Sequence, residues 1–326
     1  MDGYTDQIVQ RRLLQELYKL RHQRVGRIDL YGFAEAEGFG PGRPYGNALM
    51  FEMLGYMQVA FPPGENKPFA ALTAQGVLYI ESLNIVDKTM IVDSKGIRSK
   101  IIEHLAVLSE SEGYAYFPSW EEVIKGGGVS QVDFNFEIDV VVAEGHVRFD
   151  SFELVLTPLG FQAARRLHAL KLVAAEFDDL TALKGVSPQQ RGHRLEDILQ
   201  RLVVANGWQA EKNLVAKGEE NDLIISLGRE YYIGTCKWER NKVSNKYVEA
   251  FHGRLVKRIG TRGIYISMSG FSAPAVKSAE DFLMQSMILL FGPGDVNELV
   301  SGHANFTELL DRKFEAAITR RRMEWA

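Results

Sequence analysis

Residues 222–238 read Asp-Leu-Ile-Ile-Ser-Leu-Gly-Arg-Glu-Tyr-Tyr-Ile-Gly-Thr-Cys-Lys-Trp, and this stretch decides the fold of the second half of the chain. The apolar runs Asp222–Leu227 and Tyr231–Trp238 each predict a strand, and the Gly228-Arg229 pair between them suits a tight hairpin turn. In an antiparallel hairpin the start of the first strand lies beside the end of the second. Asp222 and Lys237 are therefore expected to meet at one edge of a sheet.

The residues on either side of this hairpin predict a compact α/β unit. His193–Asn206 has an amphipathic pattern typical of a helix, and Trp208–Val215 predicts a strand before the hairpin. After the hairpin, helix, strand, helix and strand are predicted in turn at 244–259, 263–269, 274–284 and 287–291. The predicted order is thus helix, three-strand meander, helix, strand, helix, strand.

This order, together with several short motifs, resembles the PD-(D/E)XK nucleases and, among them, the catalytic domain of Mrr-like restriction endonucleases. The matching segments are Leu195-Glu196, Asn206-Gly207-Trp208, Asp222, Cys236-Lys237-Trp238, Glu249-Ala-Phe-His-Gly253 and Gly263-Ile-Tyr-Ile-Ser-Met-Ser-Gly-Phe271. The last of these looks like the "RGVFITTSGFT" segment of the family. The resemblance covers residues 192–326 and implies a restriction-endonuclease-like α/β fold there.

The resemblance also implies a metal-dependent DNA endonuclease that hydrolyses phosphodiester bonds in bacterial genome defence. A divalent cation, Mg²⁺ or Mn²⁺, would be held by Asp222, the main-chain carbonyl of Cys236 and Glu196, because hard cations prefer oxygen ligands. Lys237 would orient the attacking water or stabilise the charge that develops on the phosphate. The predicted catalytic residues are therefore Glu196, Asp222 and Lys237.

Thr235 departs from the family pattern. The residue two positions before the lysine is normally Glu, Asp or Gln, and a hydroxyl is a shorter and poorer ligand for magnesium. Glu249, on the helix after the motif strand, is the main candidate for the missing ligand, and Glu239, Glu219 and Glu220 are further ones. The alternative is a catalytically degenerate nuclease fold that binds DNA or a partner without cutting.

The basic residues gather in the second half of the chain. Residues 181–326 carry 21 Lys and Arg against 17 Asp and Glu, a net charge of +4, whereas residues 1–180 carry 17 against 25, a net charge of −8. Basic side chains beside the hairpin are predicted to neutralise phosphates of double-stranded DNA without reading its sequence. The predicted DNA-binding residues are Arg240, Lys242, Lys246, Arg254, Lys257, Arg258 and Ser269.

The first half of the chain predicts a winged-helix-like α+β region. Thr5–Arg21 has the apolar spacing of a helix, and a later strand ends in the corner Leu72-Thr73-x-x-Gly76, as the last wing strand of a winged helix often does. The same corner recurs 84 residues later as Leu156-Thr157-Pro158-Leu159-Gly160, after Val132–Val142 and His146–Leu156, which are both predicted as strands. The pattern favours two winged-helix-like units or one such unit with a β-rich insert.

Segment 173–191 shows neither helical nor strand periodicity and is interpreted as a linker. The predicted domains are therefore 1–85 (winged-helix-like), 86–172 (a second α+β domain) and 192–326 (nuclease-like), with the linker before the last one. A winged-helix transcriptional regulator with an appended α/β domain is a further reading. It leaves the pairing of Asp222 with Lys237 unexplained.

Composition indicates the cellular setting. Cys236 is the single cysteine, so no disulfide can form within the chain, which suits a reducing cytoplasm. No apolar run has membrane-spanning length, and Met1–Gln10 does not have the pattern of a signal peptide. We expect a cytoplasmic protein without a membrane partner, and a homodimer, because nucleases of this fold often cut both strands as dimers.

Overall fold

The computed structural model describes residues 6–112, 118–150, 153–183, 185, 187–216, 219–258, 260–320 and 322. The chain divides into two compact units, Met1–Arg165 and Arg166–Ala326. In the described part of the chain, no helix has the length and apolar character that crossing a membrane requires.

The first unit repeats one arrangement, in which helices are followed by a β-hairpin and a further helix. The elements of the first copy are α1 (Asp6–His22), β1 (Ile28–Asp29), α2 (Leu30–Glu37), α3 (Gly42–Met53), β2 (Met57–Ala60), β3 (Phe69–Leu72) and α4 (Ala74–Leu83). Those of the second copy are α5 (Lys88–Glu112), α6 (Trp120–Gly127), α7 (Gln131–Ala143), β4 (Val147–Asp150), β5 (Glu153–Leu156) and α8 (Pro158–Ala182). Strands β1, β3 and β2 form an antiparallel sheet in that order, and β4 pairs with β5.

The prediction of a strand at Val132–Val142 is wrong, because these residues lie in α7. Ser130 begins this helix by accepting a hydrogen bond from the main-chain nitrogen of Asp133. Phe134, Ile138 and Val141 are buried at helical spacing. The alternative of a β-rich insert is wrong for the same reason, since α5, α6, α7 and the start of α8 occupy most of residues 86–172.

Thr73 and Gly76 form the corner that joins β3 to α4. The Thr73 hydroxyl donates a hydrogen bond to the main-chain oxygen of Gly55 at 2.6 Å and accepts one from the main-chain nitrogen of Gly76 at 3.0 Å. A Cβ atom on Gly76 would overlap the carbonyl oxygen of Tyr56, so only glycine lets the helix start this close to the hairpin.

Thr157 and Gly160 form the same corner between β5 and α8. The Thr157 hydroxyl donates to the main-chain oxygen of Gly145 at 2.6 Å, and Gly160 nitrogen donates to it at 3.0 Å. A Cβ on Gly160 would overlap the carbonyl oxygen of His146. The two copies therefore share their turn chemistry as well as their order of elements.

We predict that Gly76→Ala and Gly160→Ala each lower the free energy of unfolding, by about 1–3 kcal/mol, because the new methyl group must displace main chain. Gly96→Ala is the matched control, since this exposed helical glycine has open space around it and the substitution should raise stability by about 0.5–1 kcal/mol. Urea unfolding followed by circular dichroism measures the changes. Equal effects at all three positions would contradict the interpretation.

A buried ionic network stabilises the first unit. The Arg98 guanidinium, 3% exposed, contacts Glu137 at 2.8 Å, Glu81 at 3.0 Å and Glu144 at 3.1 Å. Glu137 is fully buried and also binds Arg21 at 2.8 Å. Burial opposes the charge of Arg98, but the carboxylates outweigh it and raise the pKa of the guanidinium, which stays charged. The network thereby joins α1, α4, α5 and α7.

We predict that Arg98→Met destabilises the protein by about 3–5 kcal/mol, because it leaves buried carboxylates without their main partner. Arg148→Met is the control: its ion pair with Asp150 is exposed, and the loss should stay below about 1 kcal/mol. Denaturant unfolding of both variants measures the difference. Similar losses of unfolding free energy in the two variants would show that the buried network stabilises the protein no more than an exposed ion pair does.

The second unit contains a five-stranded mixed sheet between helices. After α8 come α9 (Pro188–Ala205), β6 (Gln209–Ala216), β7 (Glu219–Leu227), β8 (Glu230–Lys237), α10 (Asn245–Leu255), β9 (Arg262–Ser267), α11 (Ala273–Asp281), β10 (Ile288–Phe291), α12 (Pro293–Val300), α13 (Phe306–Glu315) and a π-helical turn (Ala316–Arg320). The strand order is β10-β9-β8-β7-β6, with β6, β7 and β8 antiparallel and β8, β9 and β10 parallel. The predicted order from α9 to β10 is confirmed, and the later helices were not predicted.

Residues 173–191 are largely helical, so the absence of regular structure expected for a linker is wrong. Helix α8 continues to Ala182, and Val173, Phe177 and Leu180 are buried in the core of the second unit. Ser187 begins α9 with a capping box. The Ser187 hydroxyl accepts a hydrogen bond from the main-chain nitrogen of Gln190, and the Gln190 side-chain oxygen accepts one from the main-chain nitrogen of Ser187.

Candidate active site

The candidate site lies at the edge of the sheet where β8 ends. Since β8 runs antiparallel to β7 and parallel to β9, the amino end of β7 meets the carboxyl ends of β8 and β9 there. The register pairs Leu223 with Gly234 and Lys237 with Ser267. The described pairing of β7 with β8 begins at Leu223, the residue that follows Asp222 in the chain. The side chain of Asp222 lies outside the described part of the structure, as do those of Glu219 and Glu220.

Lys237 is held by two neighbours at the end of β8. Its ammonium nitrogen donates to a carboxylate oxygen of Glu239 at 3.1 Å and lies 3.4 Å from the centre of the Tyr247 ring on α10. The first contact is an ion pair and the second a cation–π interaction. The Lys237 side chain is only 26% exposed. These contacts hold the Lys237 ammonium group in one position.

The loop between β8 and α10 is tied to the loop that follows β9. The Ser269 hydroxyl donates to the main-chain oxygen of Glu239. Val243 nitrogen donates to Gly270 oxygen at 2.9 Å, and Ser272 nitrogen donates to Val243 oxygen at 2.9 Å. Ser269, which was predicted to contact DNA phosphate, thus has its hydroxyl engaged within the protein.

Glu196 lies on α9, which packs against β6, β7 and β8. The residue is buried, and one carboxylate oxygen is 3.5 Å from Nδ1 of His193, one turn earlier on the same helix. Leu195 and Leu199 of α9 are part of the core, so the helix holds Glu196 firmly beside the sheet. The role of Glu196 as a metal ligand stays a prediction.

Thr235 and Cys236 are both buried in β8, at 5% and 7% exposure. The Cys236 thiol belongs to the core of the unit, so its predicted contribution to a metal site is through the main-chain carbonyl alone. Glu249 accepts hydrogen bonds from Asn245 at 3.0 Å and from Ser278 at 3.5 Å. The described contacts of Glu249 are therefore with α10 and α11 rather than with Lys237.

The described side chains at the end of β8 offer oxygen atoms, namely the carboxylate of Glu239 and the hydroxyl of Thr235, beside main-chain carbonyls. This chemistry suits a hard cation such as Mg²⁺ and not a thiolate-preferring one. Among the described side chains, no three of His, Cys, Asp or Glu come close enough to hold a metal ion.

Helix α10, the loop before it and the residues directly after it form the basic surface. The exposed members are Arg240, Lys242, Lys246 and Lys257. Arg254 lies over the Phe251 ring at 5.0 Å, and Arg258 donates to the main-chain oxygen of Arg254 at 3.0 Å, which orders both guanidinium groups. Burial lowers the pKa of His252, which stacks on Phe282 at 3.8 Å. The basic surface consists of Lys and Arg, since His252 stays neutral near pH 7.

Tyr247 and the Lys237–Glu239 contact are the features that sequence reasoning missed or left open. Tyr247 lies in the first turn of α10, where an aromatic residue belongs to no nuclease motif. The only signal was the helix start at Ser244, which brings that turn back towards the end of β8. Glu239 was considered as a ligand because, two residues beyond Lys237, it could face the same side.

A mixed sheet of this topology, with a lysine at the end of its central strand, is typical of the restriction-endonuclease-like class of nucleases. Residues 188–299 match a family model described as restriction endonuclease, the Mrr catalytic domain. That part of the chain is therefore a restriction-endonuclease-like domain, and the resemblance inferred from the motifs is confirmed.

Three solved structures are similar to this chain at low identity and low TM-score. A protein of unknown function is 20% identical, with a TM-score of 0.29. The match covers 37% of this chain and 66% of that protein, which is just under two thirds of its length. The restriction endonuclease FokI bound to DNA is 11% identical over 96% of this chain and 74% of its own, with a TM-score of 0.27. The restriction endonuclease MspJI in complex with an oligonucleotide is 14% identical over 83% of this chain and 58% of its own, with a TM-score of 0.27. No curated protein matches the chain.

Proposed function

We propose that the protein is a metal-dependent DNA endonuclease of the Mrr-like restriction type, which hydrolyses phosphodiester bonds of double-stranded DNA in the cytoplasm as part of genome defence. The observation that carries this proposal is the fixed position of Lys237 at the end of the central strand, at the edge of the sheet where the amino end of β7 lies. A lysine held at this edge of the sheet could stabilise the charge that develops on a phosphate during hydrolysis.

The reaction needs an activated water and stabilisation of the charge that builds up on the phosphate. Asp222, the Cys236 carbonyl and Glu196 would hold Mg²⁺ or Mn²⁺, which when bound polarises the phosphate and lowers the pKa of a bound water. The Lys237 ammonium would donate a hydrogen bond to the phosphate oxygen that gains charge. The Tyr247 ring keeps that ammonium in place without neutralising it, since a cation–π contact removes no charge.

The basic surface on α10 would place DNA across the site by binding its backbone. The first unit would select the substrate, by analogy with Mrr-like enzymes, in which a winged-helix region precedes the nuclease domain. Its net charge of −8 over residues 1–180 favours local recognition over general duplex binding. A homodimer would cut both strands.

A second candidate function is DNA binding without cleavage. It is favoured by Thr235, which is buried in β8 at the position where the superfamily usually has a metal ligand. In that case Lys237 and α10 would serve only to hold phosphate. The two functions differ in whether the chain cuts DNA, and not in whether it binds.

We predict that Asp222→Ala and Lys237→Ala each reduce cleavage of plasmid DNA in Mg²⁺ or Mn²⁺ by about 100-fold or more, because each removes a group from the reacting centre. Lys277→Ala is the matched control: this exposed lysine on α11 pairs with Asp281, and its removal should leave the rate unchanged. Chelation of the metal should abolish cleavage. Modified and unmodified plasmids are both needed as substrates, and binding without cleavage of either would favour the degenerate function.

We further predict that Lys246→Ala and Lys257→Ala weaken binding of every DNA sequence similarly, since phosphate contacts carry no sequence information. Each should lower the slope of log affinity against log salt by about 0.9, the value for one lost phosphate contact. Arg312→Ala removes one positive charge from α13, where it pairs with Glu298, and should not change the slope. Fluorescence anisotropy over a salt series measures these slopes, and a change confined to one sequence would contradict the assignment.

A further inference from the structure

We propose that Arg191 and Arg194 of helix α9, here called the arginine pair, bind backbone phosphates of double-stranded DNA beside the end of β8. The inference rests on the proposed function and deepens it, because it adds a second contact region for the same substrate. The basic surface belongs to α10 and its flanking residues, whereas the arginine pair lies near the start of α9. DNA at the end of β8 would therefore be held by two separate helices.

Trp238, which directly follows Lys237, connects the arginine pair to the candidate site. The Arg191 guanidinium lies over the Trp238 ring, 5.2 Å from its centre, and Phe177 of α8 stacks on the same ring at 6.0 Å. Lys237 instead contacts Tyr247 of α10. Two positive charges therefore flank the end of β8, one on Lys237 and one on Arg191.

Two contacts order the Arg191 guanidinium without neutralising it. One amino group donates to the main-chain oxygen of Leu183 at 2.9 Å, and the Trp238 ring makes a cation–π interaction with the charged group. The Nε atom is buried and has no hydrogen-bond partner among the described residues. The described side-chain hydrogen bonds of Arg191 thus use one amino group. Further amino donors are left for a phosphate, which guanidinium groups bind with two parallel hydrogen bonds.

Neither member of the arginine pair forms an ion pair with a carboxylate in the described part of the chain. Arg194 is exposed and comes three residues after Arg191, and residues at this spacing are neighbours on a helix. Arg201, further along α9, is neutralised by Glu176, whose two carboxylate oxygens accept hydrogen bonds from its guanidinium. The arginine charge of α9 that lacks a carboxylate partner therefore gathers at the end that contacts Trp238, where it attracts phosphate.

A purely structural role for Arg191 is the competing explanation, because a cation bound to the Leu183 carbonyl also stabilises the carboxyl end of α8. The two roles affect different measurable quantities. A structural contact changes the free energy of unfolding and leaves the number of contacted phosphates unchanged. A phosphate contact changes the salt dependence of DNA binding, which reports the number of neutralised phosphates.

Binding of a short fluorescent duplex by the full chain, in chelator and over a salt series, tests the proposal without reference to cleavage. Arg191→Gln should lower the slope of log affinity against log salt by about 0.9, the value for one lost phosphate contact. Arg191→Lys keeps the charge and should keep the slope of the parent chain. Arg201→Gln is the matched control, because it removes the same charge from the same helix at a position where Glu176 neutralises it, and it should leave the slope unchanged.

Arg194→Gln is a second variant that does not depend on packing, since this side chain is exposed. It should also lower the slope by about 0.9. Thermal unfolding checks that each variant is folded. If Arg191→Gln does not fold, the comparison of Arg194→Gln with Arg201→Gln decides.

The outcomes separate this inference from the proposed function. A parent chain that binds the duplex, with the slope lowered by Lys246→Ala but by neither Arg191→Gln nor Arg194→Gln, overturns the arginine pair and leaves the proposed function standing. An equal drop in Arg191→Lys and Arg191→Gln also overturns it, because packing rather than charge would then be responsible. A parent chain that does not bind the duplex overturns the inference, and cleavage of plasmid DNA in Mg²⁺ decides separately on the endonuclease.

Discussion

Strand β8 is hydrogen-bonded along both of its edges, and the arrangement of the second unit depends on this constraint. Antiparallel β7 and parallel β9 fix its register, and Tyr232–Cys236 is buried throughout. A slip of one residue would exchange the faces of all its side chains and carry the Lys237 ammonium to where a core residue belongs. Gly234 tightens the fit, since a Cβ there would lie 3.1 Å from that of Leu223. The position of Lys237 is thus a consequence of core packing.

Much of the second unit could be predicted because its strands are short apolar runs separated by clear turn residues such as Gly228. The sequence was less informative where one pattern fits two structures. The Phe134 to Val142 segment alternates like a strand, while its buried residues also have helical spacing, and only the cap at Ser130 distinguishes the two. In 173–182 the helical spacing of Val173, Phe177 and Leu180 was present, but the acidic run between them obscured it.

The candidate site could be predicted as far as the motif residues and their order along the chain. The contacts that hold Lys237 could not, because Tyr247 and Glu239 reach it through the geometry of a loop and a helix start, which leave no periodic signal. The same is true of the Arg98–Glu137 pair, whose partners are 39 residues apart in the chain. Non-local polar contacts of this kind follow from the fold and cannot be read from local spacing.

The clamp on Lys237 has an entropic consequence. A free lysine side chain loses up to about 1.5–2 kcal/mol of rotamer freedom when it is fixed. Here the Glu239 carboxylate and the Tyr247 ring fix it when the chain folds, before any substrate arrives. The ordering cost of the Lys237 side chain is therefore part of the free energy of folding.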